Sequence, residues 1–202
     1  MKSIKKTAFI IIHAAILAVG LSACGTSTPS RFYVLATTAE LKTQQGMFRQ
    51  KQPRTIGIGP ITLPGYLDKR QIVTKAGRYK LELTELDEWG EPLKENVSRV
   101  LVEDISILLA SDHVHAFPAD SPGQDDFQVS IEISAFDCRL VGGCELTARW
   151  SVFDFKKNRT VSVKRSEYSK ASGQANYEAL AQAMSEALAE LSRDIARVVS
   201  TL

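Results

Sequence analysis

Cysteine and histidine are scarce in this chain, and the motifs that mark common enzyme classes are missing. The 202 residues include three cysteines and three histidines. There is no Gly-x-Ser-x-Gly elbow of the hydrolase type, and the Gly-x-Gly at 57–59 lacks the following helix that dinucleotide binding requires. His113 and His115 could begin a zinc site, but nothing nearby supplies a third ligand. We therefore expect no enzymatic activity, no metal and no cofactor.

Long apolar runs are also missing, apart from a short one near the N-terminus. It covers about fourteen residues, 8–21, behind three lysines. A transmembrane helix needs roughly 20 apolar residues, so this pattern indicates a signal peptide over residues 1–23. Its end resembles a bacterial lipobox, in which a signal peptidase recognises Leu21, Ser22 and Ala23, and Cys24 receives covalent lipid. The alternative is an ordinary secretory signal followed by a coincidental cysteine.

Residues 24–30 form a lipidated N-terminus and a short polar tether, and they suggest where the protein resides. Gly25 follows the lipidated cysteine. By resemblance to the bacterial sorting pattern, a residue other than aspartate there favours the outer membrane, with the domain on its periplasmic face. The six residues from Gly25 to Ser30 span at most about 21 Å. The domain must therefore sit close to its membrane.

Neither sign of charge is in excess once the signal peptide is set aside. The chain has 25 basic and 23 acidic residues, and the signal peptide holds three of the basic residues and none of the acids. The remaining 22 basic and 23 acidic residues give a net charge of about −1. A nucleic-acid-binding surface needs a basic patch or stripe, and no sustained basic block is present. We expect no nucleic-acid partner.

Hydrophobic periodicity predicts a single α/β domain over residues 31–202. Two amphipathic helices are expected, one from Leu93 to near Ala110 and one from about Gln174 to the C-terminus. The acidic run before the first helix is predicted to be a solvated loop, as is the polar segment 37–53. Strands are predicted at 31–36, 54–61, 71–75, 78–84, 113–117, 127–136, 145–153 and 160–169. These elements favour a mixed β-sheet covered by helices.

Cys138 and Cys144 remain as a pair in an oxidising compartment. They flank five residues at the tip of a predicted hairpin. The apolar face of the first strand is odd-numbered and that of the second is even-numbered, whereas both cysteines are even. A cross-strand disulfide therefore needs a β-bulge near 135–136, because one extra residue swaps the two faces. The alternative is a pair of free thiols.

Two further stretches carry the most distinctive residues, LPGYLDKRQIV at 63–73 and DEWGEPLKENVSRVL at 87–101. Together with the preceding Gly-x-Gly-Pro strand and the lipobox, they resemble the PqiC family of ABC-type transport auxiliary lipoproteins. The resemblance covers essentially the whole mature chain. One departure is that Lys69-Arg70 stands where the family pattern leads us to expect a proline.

The resemblance implies a fold and a partner. The fold is a three-layer α/β sandwich like the N-terminal domain of TolB, with a mixed sheet and two main helices. The partner is a PqiB-like MCE-domain protein, anchored in the inner membrane and reaching across the periplasm. This chain is then the outer-membrane end of an intermembrane lipid transport system that supports envelope integrity. A homo-oligomer is compatible with this picture, since MCE proteins form rings.

The distinctive stretches are the candidate partner interface. Tyr66 and Leu67 would present apolar area, and the charges after them would set orientation. Alternatively, Pro64-Gly65 is a structural turn, Tyr66 and Trp89 are core residues, and Glu91-Pro92 is a helix start. The candidate residues are Pro64, Gly65, Tyr66, Leu67, Asp68, Arg70, Trp89, Glu91 and Pro92.

Two other functions stay open at this point. One is activation of a peptidoglycan synthase by contact, although such activators generally have a long tether, and this one is short. The other is an outer-membrane carrier of lipid or lipoproteins, which needs a hollow domain.

Overall fold

The computed structural model describes residues 28–50, 52–118 and 125–202. Leu21, Ser22, Ala23 and Cys24, the predicted processing and lipidation residues, lie outside these ranges. Within them the chain forms eight strands and three helices. The strands are β1 (Arg31–Tyr33), β2 (Ile56–Thr62), β3 (Gln71–Lys75), β4 (Leu81–Trp89), β5 (Val114–Ala116), β6 (Phe127–Arg139), β7 (Gly143–Asp154) and β8 (Arg159–Lys170). The helices are α1 (Ala39–Thr43), α2 (Leu93–Leu109) and α3 (Tyr177–Val199).

The strands divide into two mixed sheets, where the sequence predicts one. The larger sheet has the order β5-β2-β6-β7-β8, and the smaller has the order β1-β4-β3. The larger sheet pairs β2 in parallel with β5 and β6, and the remaining strands antiparallel. In the smaller sheet, β1 runs parallel to β4. The predicted α/β class, with mixed strands packed against helices, is confirmed.

The core lies between one face of the larger sheet and the two long helices. Inward residues of β6 and β7 are direct cross-strand partners, such as Ile131 opposite Trp150 and Val129 opposite Val152. Helix α3 packs on β6, β7 and β8, α2 packs on β2 and β5, and the helices also pack on each other. Burial of this continuous apolar surface is the main stabilising contribution to such a fold.

A β-bulge interrupts the long β6–β7 hairpin at the predicted place. Ile133 pairs with Ala148, but Ala135 pairs with Thr147, so the register shifts by one residue. Beyond the bulge the buried positions of β6 become even-numbered, which brings Cys138 opposite Cys144. The two cysteines form a disulfide, and both are buried against the core.

Two predictions about the N-terminal half need correction. Strand β1 ends at Tyr33 because Leu35 turns into the core, where its N–H donates to the Asn96 side chain at 3.1 Å. The polar segment after it also contains a helix, α1, whose N-terminus is capped by the Thr38 hydroxyl. Leu41 is its one buried residue, and a single apolar position cannot show a helical periodicity in the sequence.

The predicted hairpin after β3 is also different in the structure. Arg78 to Lys80 lie in the turn, and β4 runs from Leu81 to Trp89. The acidic stretch that the sequence assigns to a solvated loop is therefore the second half of a strand. Pro92 directly precedes helix α2, as predicted, and its carbonyl accepts from Glu95 and Asn96 at 3.0 Å.

A buried carboxyl group lies where α2 and α3 meet. Asp104 is fully buried and accepts a hydrogen bond from the Ser192 hydroxyl at 3.2 Å. Burial raises the pKa of Asp104 to about 7, while the Ser192 hydroxyl and the Arg193 charge oppose the rise and Glu103 adds to it. The group is therefore largely protonated in the folded state at mildly acidic pH.

We expect Asp104→Asn to stabilise the protein at pH 8 and to change little near pH 4. In the folded state the pKa is raised, so the unfolded chain loses the proton first and stability falls as pH rises toward about 7. An amide avoids that loss, and a pKa unit corresponds to about 1.4 kcal/mol. Urea unfolding of both proteins at the two pH values measures the gain. A gain of equal size at both would contradict the titration.

Candidate functional site

Five of the nine candidate interface residues meet in one surface pocket. The pocket has a volume of about 390 Å³ and lies at the C-terminal end of β4. We name it the Trp89 pocket. It is lined by Phe32, Asp68, Lys69, Arg70, Trp89, Gly90, Glu91 and Pro92. The two distinctive stretches of sequence thus come together in space, about twenty residues apart along the chain.

Backbone hydrogen bonds hold the three segments of the pocket together. The N–H of Trp89 donates to the carbonyl of Arg70 at 2.7 Å, and the N–H of Gly90 donates to the carbonyl of Tyr33 at 2.8 Å. Gly90 also fits closely under β1, since an added Cβ would lie 3.2 Å from a methyl group of Val34. These bonds therefore fix the positions of the three segments relative to one another.

The pocket combines an apolar interior with a charged rim. Trp89 is only 5% exposed, and Phe32 beside it is 61% exposed. On the rim, Arg70 makes an ion pair with Glu88 at 3.0 Å. On the other side, Arg99 pairs with Glu91 at 2.9 Å. This arrangement can bury an apolar group and orient its polar neighbours.

Asp87 ties β1 to β4 beneath this surface. Its carboxylate receives hydrogen bonds from Arg31 at 2.8 Å, Tyr33 at 2.9 Å and Thr84 at 2.9 Å. Burial alone would raise the pKa of Asp87, but these donors hold it below its ordinary value. The charge is therefore retained in a buried position, and the position of Phe32 depends on it.

The other four candidates do not line the pocket. The sequence predicts exposed apolar area at Tyr66 and Leu67, but Leu67 is 4% exposed and belongs to the core, because it ends a short 3₁₀ turn that folds inward. Tyr66 is half-buried and faces β6. Pro64 and Gly65 begin the turn, as the alternative interpretation holds. Trp89, by contrast, lines the pocket and is buried, as the alternative interpretation of that residue holds.

Tyr66 takes part in a polar cluster that joins the two sheets. Its hydroxyl donates to Asp137 at 2.7 Å, and Lys75 forms an ion pair with the same carboxylate. Burial would raise the pKa of Asp137, but bonds from Lys75 and Tyr66 lower it below its usual value. Burial and the hydrogen bond to Asp137 raise the pKa of Tyr66. Both groups therefore keep their neutral-pH charge states.

Three pocket residues are not among the candidates: Lys69 and Gly90 lie within the two distinctive stretches, and Phe32 lies outside both. The signal was available, because RFYVLA is apolar on both faces of a predicted strand. An amphipathic edge strand has one apolar face, so the second face needs an explanation. Phe32 and Val34 are exposed, whereas Leu35 is buried.

The described residues were also compared with the requirements of a metal site and of a membrane span. His115 pairs with Asp125 at 3.0 Å, and within 28–50, 52–118 and 125–202 no cluster of three or more His, Cys, Asp or Glu could hold a metal. In the same part of the chain, no helix is long and apolar enough to cross a membrane.

The described residues form an α/β domain with two mixed sheets, and the Trp89 pocket lies on its surface. The family of ABC-type transport auxiliary lipoprotein components matches residues 33–196. The chain belongs to this family. No curated protein matches it significantly.

Two crystal structures share the fold. An uncharacterized protein superimposes with a TM-score of 0.67 at 16% identity, covering 85% of this chain and 99% of the other. Protein XCC0632 from Xanthomonas campestris gives a TM-score of 0.64 at 12% identity, covering 88% and 95%. At such identities the likeness is one of fold.

We expect Tyr66→Phe to lower the free energy of unfolding by about 1–2 kcal/mol, because a hydrogen bond to a charged group is lost. Tyr79→Phe is the matched control, since Tyr79 is 90% exposed and its loss should change stability by less than about 0.5 kcal/mol. Chemical denaturation at pH 7 without reductant measures both. The difference should shrink as pH falls through the lowered pKa of Asp137. Equal stability of the two variants would contradict a bonding role for the Tyr66 hydroxyl.

Proposed function

We propose that this transport auxiliary lipoprotein is a docking platform at the outer membrane. In this proposal Cys24 carries the lipid, the domain faces the periplasm, and an inner-membrane-anchored, PqiB-like MCE-domain protein binds at the Trp89 pocket. The complex passes lipid between the two membranes. The observation that carries the proposal is the convergence of both distinctive stretches on one preformed pocket.

The pocket has the composition of a protein interface. Interfaces have a desolvated core of aromatic residues and a polar rim, and a few central anchors supply most of the affinity. Among the lining residues, Phe32 and Pro92 are exposed and apolar, and Asp68, Lys69 and Arg70 are exposed and charged. A partner segment with an apolar side chain and flanking charges fits this surface.

The interior of the domain does not favour a carrier. The space between the helices and the larger sheet holds closely buried side chains. Trp150, Phe136, Leu101, Ile105 and Leu108 are each at most 1% exposed. A carrier needs an internal cavity of several hundred Å³ for an acyl chain. We therefore look for the function on the surface of the domain and not in its interior.

We expect Phe32→Asp to abolish co-purification of the MCE-domain partner with the tagged, lipidated protein from detergent-solubilised envelopes. A buried anchor contributes about 2 kcal/mol or more, equivalent to roughly 30-fold in affinity. Mass spectrometry identifies the captured proteins. Val163→Asp is the matched control, because Val163 is 65% exposed on β8 and does not line the pocket.

Each outcome has a distinct meaning. Loss with Phe32→Asp and retention with Val163→Asp supports docking at the pocket. If both variants still capture the MCE-domain protein, the interface does not lie at the Trp89 pocket. Capture of a peptidoglycan synthase by the unaltered protein, without an MCE-domain protein, would overturn the transport role and favour the activator.

A further inference from the structure

The turn between β3 and β4 presents an unusual group of exposed side chains. Tyr79 is 90% exposed at its tip, and Leu83 and Leu81 follow it on β4 with exposures of 52% and 38%. Leu81 and Leu83 are two apart on β4 and so point to one face of the strand. Nothing in the described domain covers them.

The same turn is basic. Residues 75–81, KAGRYKL, contain three cations and no acid. Arg78 lies over the Tyr79 ring at 5.5 Å, and Lys80 makes an exposed ion pair with Glu82 at 2.9 Å. Such an exposed pair contributes little and leaves the lysine available. Tyrosine is enriched at the interface between a bilayer and water, and cations near an anionic membrane surface are attracted to it.

A second hairpin ends beside the first. Lys75, the last residue of β3, contacts Asp137, which is two residues before the end of β6. The turn that follows β6 carries Val141, 79% exposed. Two turns with exposed apolar residues therefore occupy the same end of the molecule. We name Arg78, Tyr79, Leu81, Leu83 and Val141 the tip surface.

The chain enters the domain from this same end. Strand β1 runs parallel to β4, with Arg31 opposite Asp87 and Tyr33 opposite Trp89. The residues before Arg31 therefore lead toward the Leu81 end of β4, which is the hairpin end. The stretch from Glu88 to Leu81 is about 13 Å long, because it pairs with only four residue steps of β3, from Gln71 to Lys75. The seven residues 24–30 can span about 25 Å, which is enough to bring Cys24 level with the turn.

We infer that the tip surface rests on the lipid bilayer that holds the anchor, with Tyr79 and the leucines at the interface and Arg78 and Lys80 on anionic headgroups. This inference rests on the lipid anchoring in the proposed function. It orients the molecule. The Trp89 pocket is at the other end of β4, next to Glu88. Glu88 lies about 13 Å from Leu81, because their partners on β3, Gln71 and Lys75, are four residues apart. The docking site then faces the periplasm, away from the membrane.

Fluorescence quenching in reconstituted vesicles tests the orientation. The full-length lipidated protein is placed in vesicles of phosphatidylethanolamine and phosphatidylglycerol that contain a nitroxide-labelled lipid. Cys138 and Cys144 form a disulfide and Cys24 is the lipid site, so an introduced cysteine can be labelled selectively. Variants Tyr79→Cys and Val141→Cys report on the tip surface. Val163→Cys is the control, because Val163 is level with Ser130 on β6, seven residues or about 23 Å from Asp137.

We expect the vesicles to float with the protein and the label at residue 79 to be quenched several-fold more than the label at residue 163. Replacing phosphatidylglycerol with phosphatidylcholine should reduce that difference, because the cations lose their headgroup partners. Equal quenching at 79 and 163 in floating protein would overturn the tip contact and leave the anchoring intact. Protein that does not float would overturn the anchoring and this inference together.

Discussion

The β-bulge in β6 is the constraint on which the other features depend. Before it, the odd-numbered residues Ile131 and Ile133 face the helices, and after it Phe136 and Cys138 do so. A strand this long cannot keep one alternation and still bury both halves of its apolar sequence. The extra residue also turns Asp137 to the opposite face, where Tyr66 and Lys75 can reach it. One irregularity thus places the disulfide in the core and the polar cluster between the sheets.

Asp87 has a similar organising role in the smaller sheet. A buried carboxylate costs several kcal/mol unless donors compensate it, and its donors Arg31 and Tyr33 both come from β1. Arg31 and Tyr33 therefore stabilise the Asp87 carboxylate, and the same hydrogen bonds hold β1 against β4. Because β1 directly follows the predicted tether, only a few residues separate the predicted lipidation site from the Trp89 pocket.

Much of this architecture follows from local patterns in the sequence. The two long helices, the long hairpin and its bulge are predictable, because alternation and 3.6-residue periodicity report directly on which face is buried. Pairing of Cys138 with Cys144 across the hairpin required the bulge, and the structure contains it. The exposure of Tyr66, Leu67 and Trp89 was not predictable. Their environments are set by β6, by the core under the 3₁₀ turn and by β1, each distant in sequence.

The acidic strand shows most clearly why the remainder could not be predicted. Glu85, Asp87 and Glu88 have the composition of a solvated loop. A strand is possible there because Asp87 pairs with Arg31 and Glu88 pairs with Arg70. Those partners are also the residues that border the pocket and the tether. Local sequence patterns do not predict this strand, because its stability depends on residues that are distant in the sequence. Functional surfaces often arise in this way, since the residues that join separate segments are also those that shape the surface between them.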